Sequence, residues 1–328
     1  MGKHNSKPRR EKKQTHPQFE DQTVQPNQTS LVLKNPSKPR EANVSQRGLG
    51  SNYDILCQAL ELTQSEHDEH SNTIKDVLKK PKFDVNVGYP ETAPLHVAFE
   101  NAERSLVGVK LLLADARCDV NLRDNRGSPI LMRAVERAES TNDVYAQIIQ
   151  FLLAHRDTDV NFTQNRGTAL HVACEFKSQV GVQLLLSSTK CDVSLTDGRG
   201  DTAFMTVVRN VNDIKHANII RLFLAHPDID INEKDSHDRT SLHRACHYKN
   251  PVTTQLLLSD ERCDVDFRDI DGETPDGGSS PGQNARRQFG NRYKDFAPER
   301  YISHEPVELS QQLRSVSSIK ESTSNPGI

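Results

Sequence analysis

The sequence predicts an all-α solenoid of about six helix-turn-helix repeats with β-hairpin connectors, and three observations carry that prediction. A short apolar motif recurs as Leu95-His96-Val97-Ala98, Leu131-Met132-Arg133-Ala134, Leu170-His171-Val172-Ala173, Phe204-Met205-Thr206-Val207 and Leu242-His243-Arg244-Ala245. A second apolar stretch of helical length follows each copy: VKLLLA, IIQFLLA, VQLLLS, IIRLFLA and TTQLLLS. Each unit then closes on a hydrophilic signature such as Asp119-Val120-Asn121, and the six closing Asp residues, from Asp84 to Asp264, lie 35, 40, 33, 38 and 34 positions apart. Such a period marks stacked units, each buried only against its neighbours. Composition agrees: 34% hydrophobic and 5% aromatic residues, with no Trp, are too few for one globular core filled by 328 residues.

Charge divides the chain the same way. Residues 1–50 carry 10 Lys+Arg and 4 Asp+Glu, residues 51–275 carry 25 and 35, and residues 276–328 carry 7 and 6, giving +6, −10 and +1. The first segment is rich in Pro, Lys, Gln, Asn and Ser and poor in branched apolar residues, so it predicts a disordered basic head. The last segment opens with PDGGSSPGQN from Pro275 and is expected to be a disordered tail. The repeats are expected over 51–275, divided at about 51–88, 89–123, 124–163, 164–196, 197–234 and 235–275. Distances from the second motif position to the closing Asp are 27, 27 and 25 from Cys57, Met132 and Met205, but 23, 21 and 21 from His96, His171 and His243. Long and short repeats therefore alternate, and the extra residues are expected to enlarge the turn between the two helices of every second repeat.

These residues resemble the ankyrin repeat family. Its T-P-L-H-x-A motif appears as Ala93-Pro94-Leu95-His96-Val97-Ala98, Thr168-Ala169-Leu170-His171-Val172-Ala173 and Thr240-Ser241-Leu242-His243-Arg244-Ala245, and its D-x-x-G-x-T hairpin as Asp197-Gly198-Arg199-Gly200-Asp201-Thr202. The resemblance covers about two-thirds of the chain. It implies paired helices, a structural role for the motif His, and binding of another protein. Asn86, Asn121 and Asn161 each end an L-x5-D-V-N match, the context in which the family's Asn residues are hydroxylated.

The residues that suggest other chemistry are accounted for more simply. His96, His171 and His243 fall two repeats apart, roughly 20 Å at helix packing distances of about 10 Å, too far to share a metal. Cys118, Cys191 and Cys263 are separated likewise, and Cys174 and Cys246 read as small core residues. Glu66-His67-Asp68-Glu69-His70 reads as a solvated acidic turn, and Asp264, Asp266, Asp269 and Asp271 lack the Gly spacing of a calcium loop. No nucleotide-binding, nucleophile or kinase motif occurs, so neither enzyme activity, nor a cofactor, nor a metal, nor a small-molecule substrate is expected.

What remains is a protein-binding surface, a preformed concave face of hairpin tips and first helices. Its candidate contacts are Arg123, Asn125, Arg126, Gln164, Asn165, Arg166, Thr196 and Arg199. Arg126, Arg166 and Arg199 precede the hairpin Gly in three consecutive repeats, an arginine ladder suited to an acidic protein or peptide. At the other end, Met1-Gly2-Lys3-His4-Asn5-Ser6 fits the N-myristoylation pattern and resembles the start of the neuronal calcium sensor proteins, which implies lipidation at Gly2. Lys3, Lys7, Arg9, Arg10, Lys12 and Lys13 would add attraction to an anionic membrane surface. With no secretory signal at its start, the chain is expected in the cytoplasm at the inner membrane face, or alternatively in the nucleus as a soluble regulator or inhibitor; nucleic acid is not an expected partner.

Overall fold

The computed structural model describes residues 51–88, 92–141, 143–209, 214–275 and 277. Among them twelve helices follow in six pairs: α1 (Ser51–Leu62) with α2 (Glu69–Leu78), α3 (Pro94–Glu100) with α4 (Val107–Leu113), and α5 (Ile130–Arg137) with α6 (Val144–Ala154). The series continues with α7 (Ala169–Glu175) and α8 (Gln179–Leu186), α9 (Ala203–Arg209) and α10 (Ile214–Leu224), and α11 (Ser241–His247) and α12 (Pro251–Ser259). Second helices pack in unbroken succession from α2 to α12, and first helices pack as α1 on α3 and as the run α5, α7, α9, α11. The described residues contain no β-strand. Paired bridges at Arg123 with Pro129, Gln164 with Gly167 and Thr196 with Thr202 make three of the connectors hairpins.

The helices are short, and few of them would persist alone in water. Stacking stabilises them. Each motif Leu (Leu95, Leu131, Leu170, Leu242) is 1–3% exposed, and the buried residues join one cluster from Leu56 to Cys263. Burying one such Leu contributes about 1.5–3 kcal/mol. Local chemistry then sets the helix starts. Asp68 accepts from the Ser71 amide, Asp143 from Ala146, Ser178 from Gly181 and Asn250 from Thr253, each satisfying a donor that the first turn leaves open.

The alternation of long and short repeats takes the expected form only in part: the turn has six residues in the long third repeat and three in the short fourth. The turn between paired helices runs over 63–68, 101–106 and 138–143 in the first three repeats, so the short second repeat has as long a turn as its long neighbours. The extra residues also lengthen the second helix: α2, α6 and α10 have 10, 11 and 11 residues, against 7, 8 and 9 in α4, α8 and α12. Only in the fourth and sixth repeats does the turn shrink to three residues, with Lys177 and Lys249 in the left-handed region at φ 59° and 50°. An L side chain there is uncommon, because its Cβ crowds the backbone. In the first and third repeats one carboxylate organises the long turn. Asp68 accepts from the amides of Gln64, Ser65 and Ser71, and Asp143 from those of Glu139, Ser140 and Ala146, at 2.6–3.0 Å. These amide bonds hold the Asp68 carboxyl at about 2.

The closing signature works as a clamp. Asn121 donates from Nδ2 to the Asp157 carbonyl at 2.7 Å and accepts at Oδ1 from the Asp159 amide at 2.9 Å. Asn86 holds the Arg117 carbonyl and Asp119 amide, Asn161 those of Lys190 and Asp192, and Asn232 those of Arg262 and Asp264. One side chain thus ties each repeat to the next through two backbone groups. The fourth repeat breaks the series, since Ser194 turns its hydroxyl to Asp192 of its own turn at 2.7 Å. Ser194→Asn would place an amide between the Asp228 carbonyl and the Asp230 amide. At about 0.5–1.5 kcal/mol net for a typical hydrogen bond, the substitution is expected to raise the thermal midpoint by a few degrees, read by calorimetry; an unchanged or lower midpoint would show that this junction does not accept the clamp.

Candidate protein-interaction surface

Four of the connector turns owe their shape to one buried or half-buried carboxylate each. Asp124 Oδ1 accepts from the amides of Arg126 and Ser128, Asp197 from Arg199 and Asp201, Asp235 from His237 and Arg239, and Asp269 from Asp271 and Glu273. The loop between is pinned at both ends, so tip side chains stand on a preset frame. In the third-to-fourth connector Gln164 occupies the Asp position. Its amide donates to Ser128 Oγ at 3.0 Å and Met132 Sδ at 3.3 Å in the preceding repeat. Gly167, at φ 83°, keeps its turn because a Cβ there would overlap the His171 ring.

Two of the motif histidines, His171 and His243, join helix start to hairpin. His171 Nδ1 accepts from the Thr168 amide at 3.1 Å, and Nε2 lies 2.9 Å from the Asp201 carbonyl, to which it donates in that tautomer. His243 repeats the arrangement with Thr240 and, at 3.1 Å, the Glu273 carbonyl. Both rings are buried, and desolvation pushes their pKa below the usual value, favouring the neutral form that donates and accepts at once. Burial likewise raises the thiols: Cys57 to about 11, Cys118 and Cys191 to about 12, and Cys174 well above its ordinary value. Among the described residues no group of three or more His, Cys, Asp or Glu stands where it could hold a metal.

Of the predicted contacts, Arg123, Asn125, Arg126, Asn165, Arg166, Thr196 and Arg199 are exposed, whereas Gln164 is half-buried in the link to Ser128. The three arginines of the ladder are not equivalent. Arg166 bonds to Glu136 at 3.1 Å and Glu175 at 2.8 Å and lies 5.1 Å over the Phe176 ring, so its charge is internally matched. Arg126 and Arg199 contribute their backbone amides to the turns and keep exposed side chains. Arg123 stacks 4.2 Å over Phe162. Asn86, Asn121 and Asn161 have both amide groups in the clamps described above. Gly2, Lys3, Lys7, Arg9, Arg10, Lys12 and Lys13 lie outside the described residues. Among those described, no helix is long and apolar enough to cross a membrane.

Two features of this face escaped the motif reading, both centred on arginines at the fifth position of the six-residue motif. Arg133 meets Glu100 at 3.3 Å and Asp124 at 3.4 Å, while Arg137 reaches Glu100 at 2.9 Å and lies over Phe99 and Tyr145. His96, Phe99, Glu100, Asp124 and Arg133 line a cleft of about 370 Å³ between α3 and α5. Arg244 is more deeply placed. It bonds both oxygens of Asp201 and reaches Asp235 at 2.7 Å, which also receives Arg239 at 3.0 Å. Asp201 and Asp235 are 1% and 6% exposed, so Arg244 is the cation that makes two buried carboxylates tolerable. The signal lay in the sequence, as Arg at a position that Val97 and Val172 fill elsewhere, but its partners are 43 and 9 residues away.

Arg244→Met is therefore expected to cost roughly 3–5 kcal/mol, the usual consequence of removing one partner from a buried ion network. The carboxyl of Asp235 is held at about 2, below its ordinary 3.8, chiefly by the Arg244 bond working against desolvation. A depressed carboxyl lends stability that is full above pH 3.8 and lost as the pH falls towards 2. Urea titrations at pH 7 and pH 3 are expected to show a smaller acid loss in the variant than in the parent; equal stabilities at pH 7 would remove Arg244 from this role.

A family model described as ankyrin repeats (3 copies) matches residues 95–197 and 181–271. The SMC5-SMC6 complex localization factor protein 1 of Bos taurus is 38% identical over 89 residues, and its Homo sapiens counterpart 39% over 88. Each alignment covers 26% of this chain, and the chain spans only 8% of the length of these curated relatives. Among solved structures, an ankyrin repeat protein, EF0377, is similar at 21% identity and a TM-score of 0.49, over 62% of this chain and 95% of its own. With the family model matching more than half of its residues, the chain belongs to the ankyrin repeat family.

Proposed function

We propose that the chain is a non-catalytic protein-binding scaffold, with residues 51–275 as its binding unit, and that its partner lies across the hairpin tips and first helices of the second to fifth repeats. The observation that carries this reading is the row of exposed tip side chains on turns already closed by Asp124, Asp197 and Asp235. A frame set before binding lowers the entropy lost on association. Arg126 and Arg199 present uncommitted guanidinium forks at its rim, suited to carboxylates of an acidic protein or peptide. The cleft beside Arg133, between the second and third repeats, would admit one partner side chain. Arg126→Ala with Arg199→Ala is expected to weaken capture of the proteins that quantitative affinity purification recovers with the parent, with no change in thermal midpoint. Arg166→Ala is expected to lower the midpoint, since it removes the link between Glu136 and Glu175. Capture undiminished by the double variant would eliminate the arginine rim.

The finer reading concerns where the scaffold acts. Its N-terminus fits a lipid anchor at Gly2, and a single acyl chain needs a second signal for durable attachment, which the six cations from Lys3 to Lys13 supply. The similarity to the SMC5-SMC6 complex localization factors favours a second reading, in which the repeats bring one protein to the place of another and the basic head serves a nuclear address. Asn86, Asn121 and Asn161 are further candidates for hydroxylation. Gly2→Ala separates the two sites of action: under lipid anchoring, fractionation finds the parent with membranes and the variant released, whereas equal distribution of both removes the anchor.

A further inference from the structure

The six repeats are not joined alike. Across every junction from a long repeat to the short one after it, a cation reaches back to the end of the preceding second helix. Arg117 donates to the carbonyl of Leu78, the last residue of α2, at 2.5 Å, and to those of Lys80 and Phe83 at 3.2 Å. Lys190 donates to the carbonyl of His155, which caps α6, at 2.6 Å, and Arg262 to that of Leu224, the last residue of α10, at 2.7 Å. The last carbonyls of a helix lack an intrahelical partner, and the helix dipole draws a cation to them. Asp115 and Asp260 each take two bonds from the arginine two residues on, which aims the guanidinium. The Asn clamps of Asn86, Asn161 and Asn232 stand at the same three junctions. Each long repeat is thus tied to its short successor twice along one edge.

The junctions from a short repeat to the next long one are built differently. The place of the cation is taken by Asp157 in the third repeat and Asp228 in the fifth, and an ionised carboxylate cannot donate. Between the second and third repeats Asn121 still clamps the edge, and Arg133 and Arg137 bond to Glu100 across the first helices. Between the fourth and fifth, Ser194 keeps its hydroxyl within its own turn. This junction is held at its hairpin edge, where His171 meets the Asp201 carbonyl at 2.9 Å and Gly198 donates to the Asn165 carbonyl at 3.3 Å. Its second helices pack together, and Asn218 reaches Gln179 at the start of α8 at 3.4 Å. Apolar packing has no preferred direction, so it opposes separation more than rotation, whereas hydrogen bonds fix an angle.

We propose that the fourth-to-fifth junction is the hinge of the solenoid. The first four repeats and the last two turn as two bodies that pivot on the hairpin edge at Asp201 and part at the signature edge beside Ser194. The cation caps and Asn clamps keep the third repeat with the fourth and the fifth with the sixth. Opening at one edge alone changes the curvature of the face made by hairpin tips and first helices. The hinge is a property of the free chain, so its test needs no partner and is independent of what that face binds.

The test is a distance measurement by pulsed electron resonance on the full chain, with nitroxides on introduced ketone-bearing residues so that the six thiols are left alone. One pair of labels replaces Ala116 and Thr189, the other Ala154 and Ala225, and all four positions are exposed. Each pair spans two layers, roughly 20 Å at packing distances of about 10 Å. Both pairs cross the third-to-fourth junction; the first also crosses Asn121 and the second Ser194. The second pair is expected to give the broader distance distribution in the parent, and Ser194→Asn to narrow it to the width of the first. Asn121→Ser should broaden the first pair, and Lys190→Met, which removes the cap at His155, should broaden both. Equal widths of the two pairs in the parent overturn the proposal without recourse to any variant. An unchanged second pair in Ser194→Asn does so as well, since the breadth would then have a cause other than the missing clamp.

Discussion

No repeat in this protein can cover its own apolar face, and the rest of the structure follows from that constraint. A pair of helices of seven to twelve residues buries one side of each and leaves another side open, so every layer depends on the next. Leu95, Leu131, Leu170, Phe204 and Leu242 occupy the same place in successive layers and are almost wholly buried in each. The interactions that set register between layers sit at the edges of this stack. Asn clamps hold one edge, and the pairs of His171 with Asp201 and His243 with Glu273 hold the other. Both devices use one side chain to satisfy two backbone groups or to span two repeats, which makes neighbouring layers rigid relative to each other at little cost in ordered residues.

The face available to a partner is correspondingly prepared. Most of its turns are closed by carboxylates that accept two backbone amides each, and the third-to-fourth hairpin is tied by Gln164 to the preceding repeat, so they need no partner to order them. Most of its charges are already matched: Glu100 with Arg133 and Arg137, Arg166 with Glu136 and Glu175, Arg244 with Asp201 and Asp235. A face of this kind discriminates by shape and by the few charges left over, rather than by its net charge, which is a better guide to solubility and encounter rate than to specificity. The overall −10 of residues 51–275 therefore says little about where a partner lies.

Much of the fold was legible in the sequence because period and pattern are direct consequences of stacking. The motif copies placed all six helix pairs, and the hairpin signature placed the turns. The alternation of repeat lengths was legible as a number and only partly as a structure: the spacing counts residues between two landmarks but does not say how they divide between helix and turn. In the third repeat they extend both the turn before α6 and α6 itself, and a longer helix buries more apolar surface against its neighbours. The candidate surface was legible only in part. Exposure of Arg126 and Arg199 follows from their place in a turn. The inward commitment of Gln164 does not, because its partners Ser128 and Met132 lie 36 and 32 residues away.

By itself the sequence determined the number of layers, the helix pairs, the hairpin turns and the structural use of the motif histidines, since each depends on residues within one repeat or at one fixed interval. Only the tertiary structure decided which charges are free and which are spent. Arg166 and Arg199 hold equivalent positions and differ because Glu136 and Glu175 happen to reach one of them; Arg244 looks like a surface residue until Asp201, 43 residues earlier, is seen to be buried beside it. Ion pairing depends on distance in space, and a repeated sequence fixes that distance only where the repeats are identical.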